Sequence, residues 1–424
     1  MEKIKAVRGT RDILPEEAGK WQFLESKARE FFSIYNYKEI RTPVFEDISL
    51  FIRGVGQGTD IVRKEMYVFE DKKGRKLCLR PEGTAGVMRA FIEHNLGIGN
   101  PVNKLFYIGP MFRYERPQAG RYRQHTQIGV ELIGSLIPCL DAEVISLAYN
   151  YLKDLGLKEI HVHLNSVGCS NCRGKYKDIL KEELHKRLND FCPDCQDRFK
   201  LNILRVFDCK VLSCKELLSG TPVITDFICP DCGEHLREVE KYLNLLNVDY
   251  ERNPRLVRGL DYYTRTTFEI IFLGLGAQNA LAAGGRYDKL ISELGGDDVP
   301  GIGFAAGLDR IIMAVDESKI PWPAFPAPDI YFVPLGAKAY DYLFPLCQKF
   351  RLNGLKCEIG YDEKRLLKNH LKEADKLKAK KVVIIGDREL DRGIAIIKMM
   401  DTGEQKEIKL EELSPGEKEL EKNS

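Results

Sequence analysis

The chain has 424 residues, of which 44% are hydrophobic and 30% charged, and its formal net charge is +2. This balance is typical of globular proteins with buried cores, and the length predicts two or three domains of roughly 150 residues each. The small net charge argues against a protein that coats nucleic acid indiscriminately. No segment approaches the roughly 20 apolar residues of a membrane span or the pattern of a secretion signal, so we expect a cytoplasmic protein without a membrane segment.

The first part of the chain alternates helical and extended patterns. Residues 21–37 repeat apolar side chains at helical spacing, which predicts a helix. Residues 39–46 predict a strand that contains a proline and therefore lies near a sheet edge. Residues 104–116 and 123–134 predict two further strands, and the loop 117–122 between them carries a proline and a glycine. The sequence therefore predicts a hairpin here.

This predicted hairpin carries four arginines within twelve residues, Arg113, Arg116, Arg121 and Arg123. Guanidinium groups stay charged and make paired hydrogen bonds to phosphate oxygens, so such a loop can grip a polyphosphate. A surface hairpin with solvated arginines is the alternative. Because every second residue of a strand faces the same side, Arg113 should share a face with Glu115, and Gln127 with Glu131.

The rest of the chain changes character three times. Residues 166–253 are rich in helix formers, and the four prolines of 321–328 predict a stiff linker. Residues 329–424 alternate strand-like runs with helical stretches, which predicts a small α/β domain. Residues 301–315 predict a strand that runs into a helix, and 282–290 a glycine turn that is either structural or lets backbone approach a ligand.

Eight of the twelve cysteines lie within 64 residues, namely Cys169, Cys172, Cys192, Cys195, Cys209, Cys214, Cys229 and Cys232. Pairs spaced as C-x2-C fit tetrahedral zinc, whereas disulfides are disfavoured in a reducing cytoplasm. We predict two structural zinc sites, each held by four thiolates. Reduced cysteines that only pack in a core are the alternative.

Five segments resemble motifs of the histidine-specific aminoacyl-tRNA synthetases, which belong to the second structural class of these enzymes. Residues 37–46, 112–131 and 301–310 are similar to the three motifs of the class. Residues 258–266 (RGLDYYTRT) and 282–288 (AAGGRYD) resemble signatures of the histidine enzymes alone. Because these motifs occur in the family's order and cover most of the chain, the resemblance is specific.

The resemblance implies an α+β catalytic domain, with an antiparallel sheet flanked by helices, in residues 1–165 and 254–320. A helical, cysteine-rich insertion would occupy 166–253, and a proline-rich linker 321–328. A C-terminal α/β anticodon-binding domain would occupy 329–424. In the family the first motif forms much of a dimer interface, so a homodimer is implied as well.

The resemblance also implies an ATP site made of Arg113, Arg121, His125 and Arg310. Arg113 would hold the α-phosphate and the substrate carboxylate, Arg310 the γ-phosphate, and Mg²⁺ would bridge the outer phosphates. Arg121 would lie in the mobile loop of the second motif. Family members commonly carry an aromatic residue where this chain has His125, which would stack on adenine here.

For the amino acid, the resemblance implies a set of contacts around L-histidine: Glu82, Gly83, Thr84, Gln127, Glu131, Arg258, Tyr262 and Tyr263. Arg258 and Arg113 would be catalytic, because fixed positive charge stabilises the charge that develops during attack on the α-phosphorus. Without any family, Thr84 lies at a predicted helix start that it could cap. A simple Arg258–acid ion pair is the alternative for Arg258.

The implied activity is ATP-dependent attachment of L-histidine to its tRNA through histidyl-adenylate. The alternative is a non-catalytic regulatory paralogue of ATP phosphoribosyltransferase, which shares the catalytic fold but typically lacks the C-terminal domain. A tRNA-binding structural protein would leave the ATP and histidine residues unexplained. The run 362–381 has eight Lys or Arg against four Asp or Glu and predicts a basic helix, either a tRNA contact or a solvated face.

Overall fold

The computed structural model describes residues 3–323, 327–362 and 364–415. The chain separates into two compact units, Met1–Trp322 and Pro323–Ser424. This boundary falls within the predicted linker 321–328, of which residues 324–326 lie outside the described residues. The finer domain bounds stay predictions. None of the helices in the described ranges combines the length and apolar character that crossing a bilayer would require.

The first unit is built on strands of very different length. They are β1 (Lys38–Glu39), β2 (Phe45–Asp47), β3 (Val68–Glu70), β4 (Lys76–Leu79), β5 (Asn103–Phe112), β6 (Gln124–Ile133), β7 (Ile160–Ser166), β8 (Tyr250–Arg252), β9 (Thr264–Phe272), β10 (Ala280–Arg286) and β11 (Gly301–Gly307). Eight of them form one sheet in the order β1-β5-β6-β11-β10-β9-β7-β8, and β2-β4-β3 form a small second sheet. The pairings from β5 to β7 across the large sheet are antiparallel.

The α-helices of this unit are α1 (Pro15–Ile34), α2 (Ile48–Val55), α3 (Thr84–Glu93), α4 (Pro138–Asp154), α5 (Ser170–His185), α6 (Pro193–Leu201), α7 (Leu212–Ser219), α8 (Pro230–Leu245), α9 (Leu290–Glu293) and α10 (Leu308–Glu317). A π-helical turn spans Ile61–Glu65, and short 3-10 helices span Leu188–Asp190, Ile203–Asp208, Ile224–Phe227 and Leu273–Gln278. Helices α5 to α8 lie between β7 and β8, so the cysteine-rich segment is helical as predicted.

Strand alternation separates a core face of the large sheet from a polar face. Ile128, Val130 and Leu132 of β6 are fully buried in a core shared with helices α1, α4, α8 and α10. Gln127 and Glu131 alternate with them and face the other side. The predicted strand alternation is therefore confirmed for β6, whereas Arg113 and Glu115 lie beyond the end of β5, where it no longer applies.

Two predictions about local structure are wrong. Residues 39–46 do not form one strand, because β1 ends at Glu39 and pairs with β5, while β2 belongs to the second sheet. The proline between them cannot donate to a strand ladder, which accounts for the break. Residues 282–286 are not a glycine turn but most of strand β10. A Cβ on Gly284 would lie 2.1 Å from the carbonyl oxygen of Gly303, so the glycine permits close strand packing.

The second unit is an α/β domain, as predicted. Its elements are β12 (Ile330–Leu335), α11 (Ala337–Leu352), β13 (Cys357–Ile359), α12 (Leu367–Lys376), β14 (Lys381–Gly386), α13 (Asp387–Asp391), β15 (Ile394–Met399), β16 (Gln405–Lys409) and a 3-10 turn at Leu410–Glu412. The sheet order is β13-β12-β14-β15-β16. The basic helix predicted over 362–381 is shorter than expected, since α12 ends at Lys376 and residue 363 lies outside the described residues.

Candidate active site

A cavity of about 190 Å³ opens on the polar face of the large sheet. In register, Gly303 and Gly307 of β11 lie beside Glu131 and Gln127 of β6, with Ala305 between the two glycines. Side chains this small leave open space above the strands. The cavity therefore exists because β11 alternates glycine and alanine on the face where its neighbours carry polar groups.

The cavity is lined by most of the residues that the sequence predicted for a site: Glu82, Thr84, Arg113, Arg121, His125, Gln127, Arg258, Tyr262, Tyr263 and Arg310. Gly83 and Glu131 are not among its lining residues. A Cβ on Gly83 would lie 2.2 Å from the Tyr107 ring, so this glycine makes room for a lining residue. Glu131 lies beneath Thr84 and Tyr287, fully buried.

One end of the cavity is strongly basic. The Nε of Arg113 donates to the carbonyl of Pro81 at 2.8 Å. Arg310 comes from the first turn of α10, and its Nε and Nη1 each donate to a backbone carbonyl at 3.1 Å. Carbonyls hold a guanidinium in place without cancelling its charge. Burial, together with the neighbouring arginines, lowers the pKa of Arg310.

The arginines of the loop between β5 and β6 have other partners than Arg113 and Arg310 do. Arg121 is ion-paired with Glu115. Burial alone would raise the pKa of Glu115, but the pairing with Arg121 lowers it. Arg123 stacks 3.7 Å from the centroid of the Tyr114 ring and donates to the carbonyl of Arg8 at 3.3 Å, so it supports the loop. Arg116 is exposed.

Arg258 also lines the cavity and comes from the loop that precedes β9. Its Nη1 donates to Glu269 of β9 at 2.8 Å. Its Nε is buried and has no hydrogen-bond partner among the described residues. Burial opposes the charge, yet the carboxylate of Glu269 raises the pKa of Arg258, so the guanidinium stays charged.

Another part of the cavity, which adjoins Arg113, is built around buried carboxyl groups. Both oxygens of Glu82 accept backbone N–H groups of the first turn of α3, from Thr84 at 2.7 Å and Ala85 at 2.9 Å. Glu82 therefore accepts the backbone N–H groups at the start of this helix, and the alternative that Thr84 serves only as a helix cap is not what the structure has. Thr84 instead donates its hydroxyl to Glu131 at 2.7 Å, and Tyr287 donates to the other oxygen.

Burial sets the protonation of two residues of the site. It raises the pKa of Glu131 to about 8, because the carboxylate would lose its hydration. Burial and the positive charge of Arg113 lower the pKa of His125 to about 3. His125 is therefore a neutral imidazole at physiological pH.

Four buried polar atoms of the cavity lining have no hydrogen-bond partner in the described residues: Tyr107 Oη, Gln127 Oε1, Arg258 Nε and Asp309 Oδ2. Such groups are costly unless a ligand or water satisfies them. Tyr107, Glu269, Glu115 and Asp309 were not predicted as site residues. The sequence held no local signal for Tyr107, whose approach depends on the fold, or for Glu269, which lies on β9 beyond the signature segment 258–266.

The eight clustered cysteines form two groups in space. The Sγ atoms of Cys169, Cys172, Cys229 and Cys232 lie within 4.8 Å of one another, and the same holds for Cys192, Cys195, Cys209 and Cys214. We call these the outer and the inner cluster, because the inner cysteines lie between the outer ones in the chain. All twelve cysteines are free thiols.

Comparisons with known proteins agree with this geometry. The family model described as histidyl-tRNA synthetase matches residues 9–173 and 221–311, and that of an anticodon-binding domain matches 329–420. The antiparallel sheet with its arginine-lined cavity, followed by such a domain, defines an aminoacyl-tRNA synthetase of the second structural class. More particularly, the chain belongs to the histidyl-tRNA synthetase family, and the predicted fold class is confirmed.

Several relatives and a solved structure are similar over nearly the whole chain. The histidine–tRNA ligase of Caldanaerobacter subterraneus subsp. tengcongensis is 49% identical over 96% of this chain and 98% of its own length. The histidine–tRNA ligase of Halothermothrix orenii is 51% identical over 97% of this chain and 98% of its own length. The crystal structure of apo histidyl-tRNA synthetase from S. aureus has a TM-score of 0.81 at 39% identity and covers 97% of this chain and 98% of that one.

Proposed function

We propose that this chain is a histidine–tRNA ligase, which activates L-histidine with ATP and transfers it to the 3′ end of histidine tRNA. The observation that carries the proposal is that one cavity is lined both by fixed arginines and by buried carboxyl and amide groups. The arginines suit a polyphosphate, and the carboxyl and amide groups suit an ammonium and an imidazole. Family membership supports the same activity.

In the first step the carboxylate of histidine attacks the α-phosphorus of ATP. A bond forms between the carboxylate oxygen and phosphorus, the bond to the bridging oxygen breaks, and diphosphate leaves. Arg113 and Arg258 hold the two negative groups together and stabilise the charge that develops on the phosphoryl oxygens. Arg310 binds the γ-phosphate, and Arg121 exchanges its carboxylate partner for phosphate.

Histidine is selected by groups that its side chain and ammonium satisfy. Glu82 and Thr84 lie at the start of α3 and accept the ammonium, Gln127 lies near the carboxylate, and Tyr262 and Tyr263 flank the ring. Glu131 lies beneath the ring position and orients the hydroxyls of Thr84 and Tyr287. An apolar side chain of similar size would leave these buried groups unpaired, which disfavours it by roughly 10⁴-fold or more.

Mg²⁺ fits the phosphate end of the cavity. Glu115 and Glu269 are carboxylates that line this end, and their oxygens are the ligands that Mg²⁺ prefers. When bound, the ion would supply further positive charge to the outer phosphates. In the second step, a 3′-terminal hydroxyl of the tRNA attacks the histidyl carbonyl, and AMP leaves.

A non-catalytic regulatory paralogue of ATP phosphoribosyltransferase is disfavoured. Arg113, Arg258 and Arg310 all line the cavity, and residues 329–420 match an anticodon-binding domain. A regulator would need neither the arginines nor this domain.

Histidine-dependent exchange of labelled diphosphate into ATP, without tRNA, tests the proposal. We expect exchange in the wild type and a loss of at least about 10²-fold for Arg258→Ala, the scale on which oxyanion-stabilising groups act. Arg116→Ala is a matched control because Arg116 is exposed and is not among the cavity-lining residues. A folded, ATP-binding wild type without exchange would favour the regulatory alternative instead.

We further propose that each cysteine cluster holds one structural Zn²⁺. Four thiolates at about 2.3 Å from zinc lie about 3.8 Å apart in a tetrahedron. The Sγ–Sγ distances of 3.5 Å for Cys169–Cys172, 4.0 Å for Cys172–Cys232 and 3.8 Å for Cys192–Cys209 fit this geometry. The N–H of Cys229 also donates to the Sγ of Cys172 at 3.0 Å, as it would to a thiolate.

Metal analysis of protein purified without chelator tests the zinc proposal. We expect two zinc ions per chain and slow titration of the eight cluster thiols until the metal is removed. Zinc near zero with all eight thiols freely titratable would leave only packed, reduced cysteines.

We propose a homodimer in the cytoplasm as the working form. Phe45 of β2 and Phe69 of β3 are 55% and 42% exposed and lie in ring contact on the small sheet, beside exposed Val44 and Val68. An exposed apolar patch of this kind marks an interaction site. Sedimentation analysis should find a dimer that Phe45→Asp weakens; a wild-type monomer would refute it.

A further inference from the structure

The loop 258–263 carries three of the proposed substrate contacts but lies outside regular structure. It contributes Arg258, Tyr262 and Tyr263 to the cavity, and β9 begins only at Thr264. Whatever holds this loop therefore controls how well histidine is bound.

The tyrosines of the loop are buried, but the loop also has open space beside it. A second cavity of about 310 Å³ lies on its other side, and Arg258, Leu260 and Tyr263 line both cavities. A segment with open space on two sides depends on discrete hydrogen bonds for its position.

One of these hydrogen-bonding groups comes from the residue that follows the outer-cluster Cys172. Arg173 of α5 donates its Nη1 to the carbonyl of Tyr263 at 2.7 Å and to that of Asp261 at 3.2 Å. The same guanidinium nitrogen thus spans the turn that presents both tyrosines. It lines the second cavity and not the first, so it has no place among the proposed substrate contacts.

A second tether comes from the chain between the inner-cluster cysteines Cys195 and Cys209. The Nδ2 of Asn202 donates to Oδ1 of Asp261 at 2.5 Å. The other side of Asp261 is close to Gly56, where a Cβ would lie 2.7 Å from Oδ2. Each cysteine cluster thus fixes a segment that holds the same loop.

We propose that the cysteine-rich segment positions the histidine-binding loop, with Arg173 and Asn202 as positioning residues for the amino acid. This inference rests on the proposed ligase function. The two clusters make the supporting segments rigid, and the tethers transmit that rigidity to Tyr262 and Tyr263. Their loss should weaken histidine binding more than ATP binding. The tethers hold Asp261 and Tyr263, whereas Arg258 at the start of the loop keeps its own partner Glu269, and Arg113 and Arg310 are anchored to backbone carbonyls outside the loop.

The test measures KM for histidine and for ATP separately in diphosphate exchange. We expect Arg173→Ala to raise KM for histidine about tenfold, which corresponds to the loss of one good hydrogen bond. KM for ATP should stay within about twofold, and Arg173→Lys should recover part of the loss. Lys175→Ala on the same helix is the matched control, because Lys175 is exposed.

Asn202→Ala provides an independent variant should Arg173→Ala fold poorly, and we expect the same selective rise in KM for histidine. Unchanged KM values, or equal rises in both, would overturn the inference while the wild-type activity still stands. Absence of exchange in the wild type would instead reject the ligase proposal on which it rests.

Discussion

Glu131 is a carboxyl group with no exposed surface, held by two hydroxyl donors at the floor of the site. Its raised pKa of about 8 means that the ligand-free protein keeps it protonated near neutral pH.

This protonation makes stability depend on pH in a defined direction. The folded state keeps the proton up to about pH 8, whereas an unfolded chain releases it near the ordinary glutamate pKa of 4.5. The stabilising contribution is thus complete below about pH 4.5 and lost as pH rises to about 8. Over this window Glu131 should lower the free energy of unfolding by about 1.4 kcal/mol per pH unit.

Glu131→Gln should remove that decline, because the amide does not titrate. Denaturant unfolding of the ligand-free protein checks this at pH 5.5, 6.5 and 7.5, which roughly span the window. The control is Glu182→Gln, which removes an exposed carboxyl group. Parallel stability curves for wild type and Glu131→Gln would show that Glu131 is ionised in the folded protein.

At the level of elements, the site depends on how closely β6, β10 and β11 approach one another. A Cβ on Gly303 would lie 2.3 Å from the carbonyl oxygen of Val130 and 2.2 Å from Oε2 of Glu131. Real Cβ atoms do not come this near to backbone. The strands would have to separate, and the cavity floor would move with them.

Gly303→Ala should therefore lower the free energy of unfolding by about 1–3 kcal/mol, the range for overpacked positions. Gly307→Ala on the same strand has nothing within 4 Å of the new Cβ and should change stability by less than about 0.5 kcal/mol. Equilibrium unfolding in urea compares the two. Equal small effects would mean that the sheet adapts without cost.

These strands also show how far sequence reasoning reaches. The hairpin of β5 and β6 and the strand–helix unit of β11 and α10 followed from alternation and turn residues, and the site residues followed from motifs. The glycines of β10 were misread as a turn, because the same residue type serves turns and close strand contact. The roles of Glu82 and Tyr107 depend on contacts between distant segments, which local patterns do not contain.

Across the whole molecule, tRNA recognition is the function that residues 329–424 would add. Lys368 and Lys372 lie four residues apart on α12 and are exposed, while His370 and Ala374 form its buried side. Residues at this spacing share one helix face, so the two lysines can meet a phosphate backbone together.

Charge reversal of Lys368 and Lys372 to Glu should weaken aminoacylation of tRNA about tenfold or more at low salt, since two phosphate contacts become repulsive. Diphosphate exchange should be unchanged, because adenylate formation needs no tRNA. Lys349→Glu on α11 is the matched control, an exposed lysine outside this face. Equal losses in both assays would point to misfolding and not to tRNA contact.

The nesting of the two cysteine clusters has a consequence for how the segment assembles. The inner contact Cys192–Cys209 spans 17 residues and lies wholly inside the 60-residue span of Cys172–Cys232. Closing the small loop first shortens the large one. Because the entropic cost of loop closure grows roughly as (3/2)RT ln n, the large loop then costs about a few tenths of a kcal/mol less to close. During synthesis, moreover, all four inner cysteines emerge before Cys229. We therefore expect the inner cluster to close before the outer one, whose closure joins the two ends of the segment that lead back to β7 and β8.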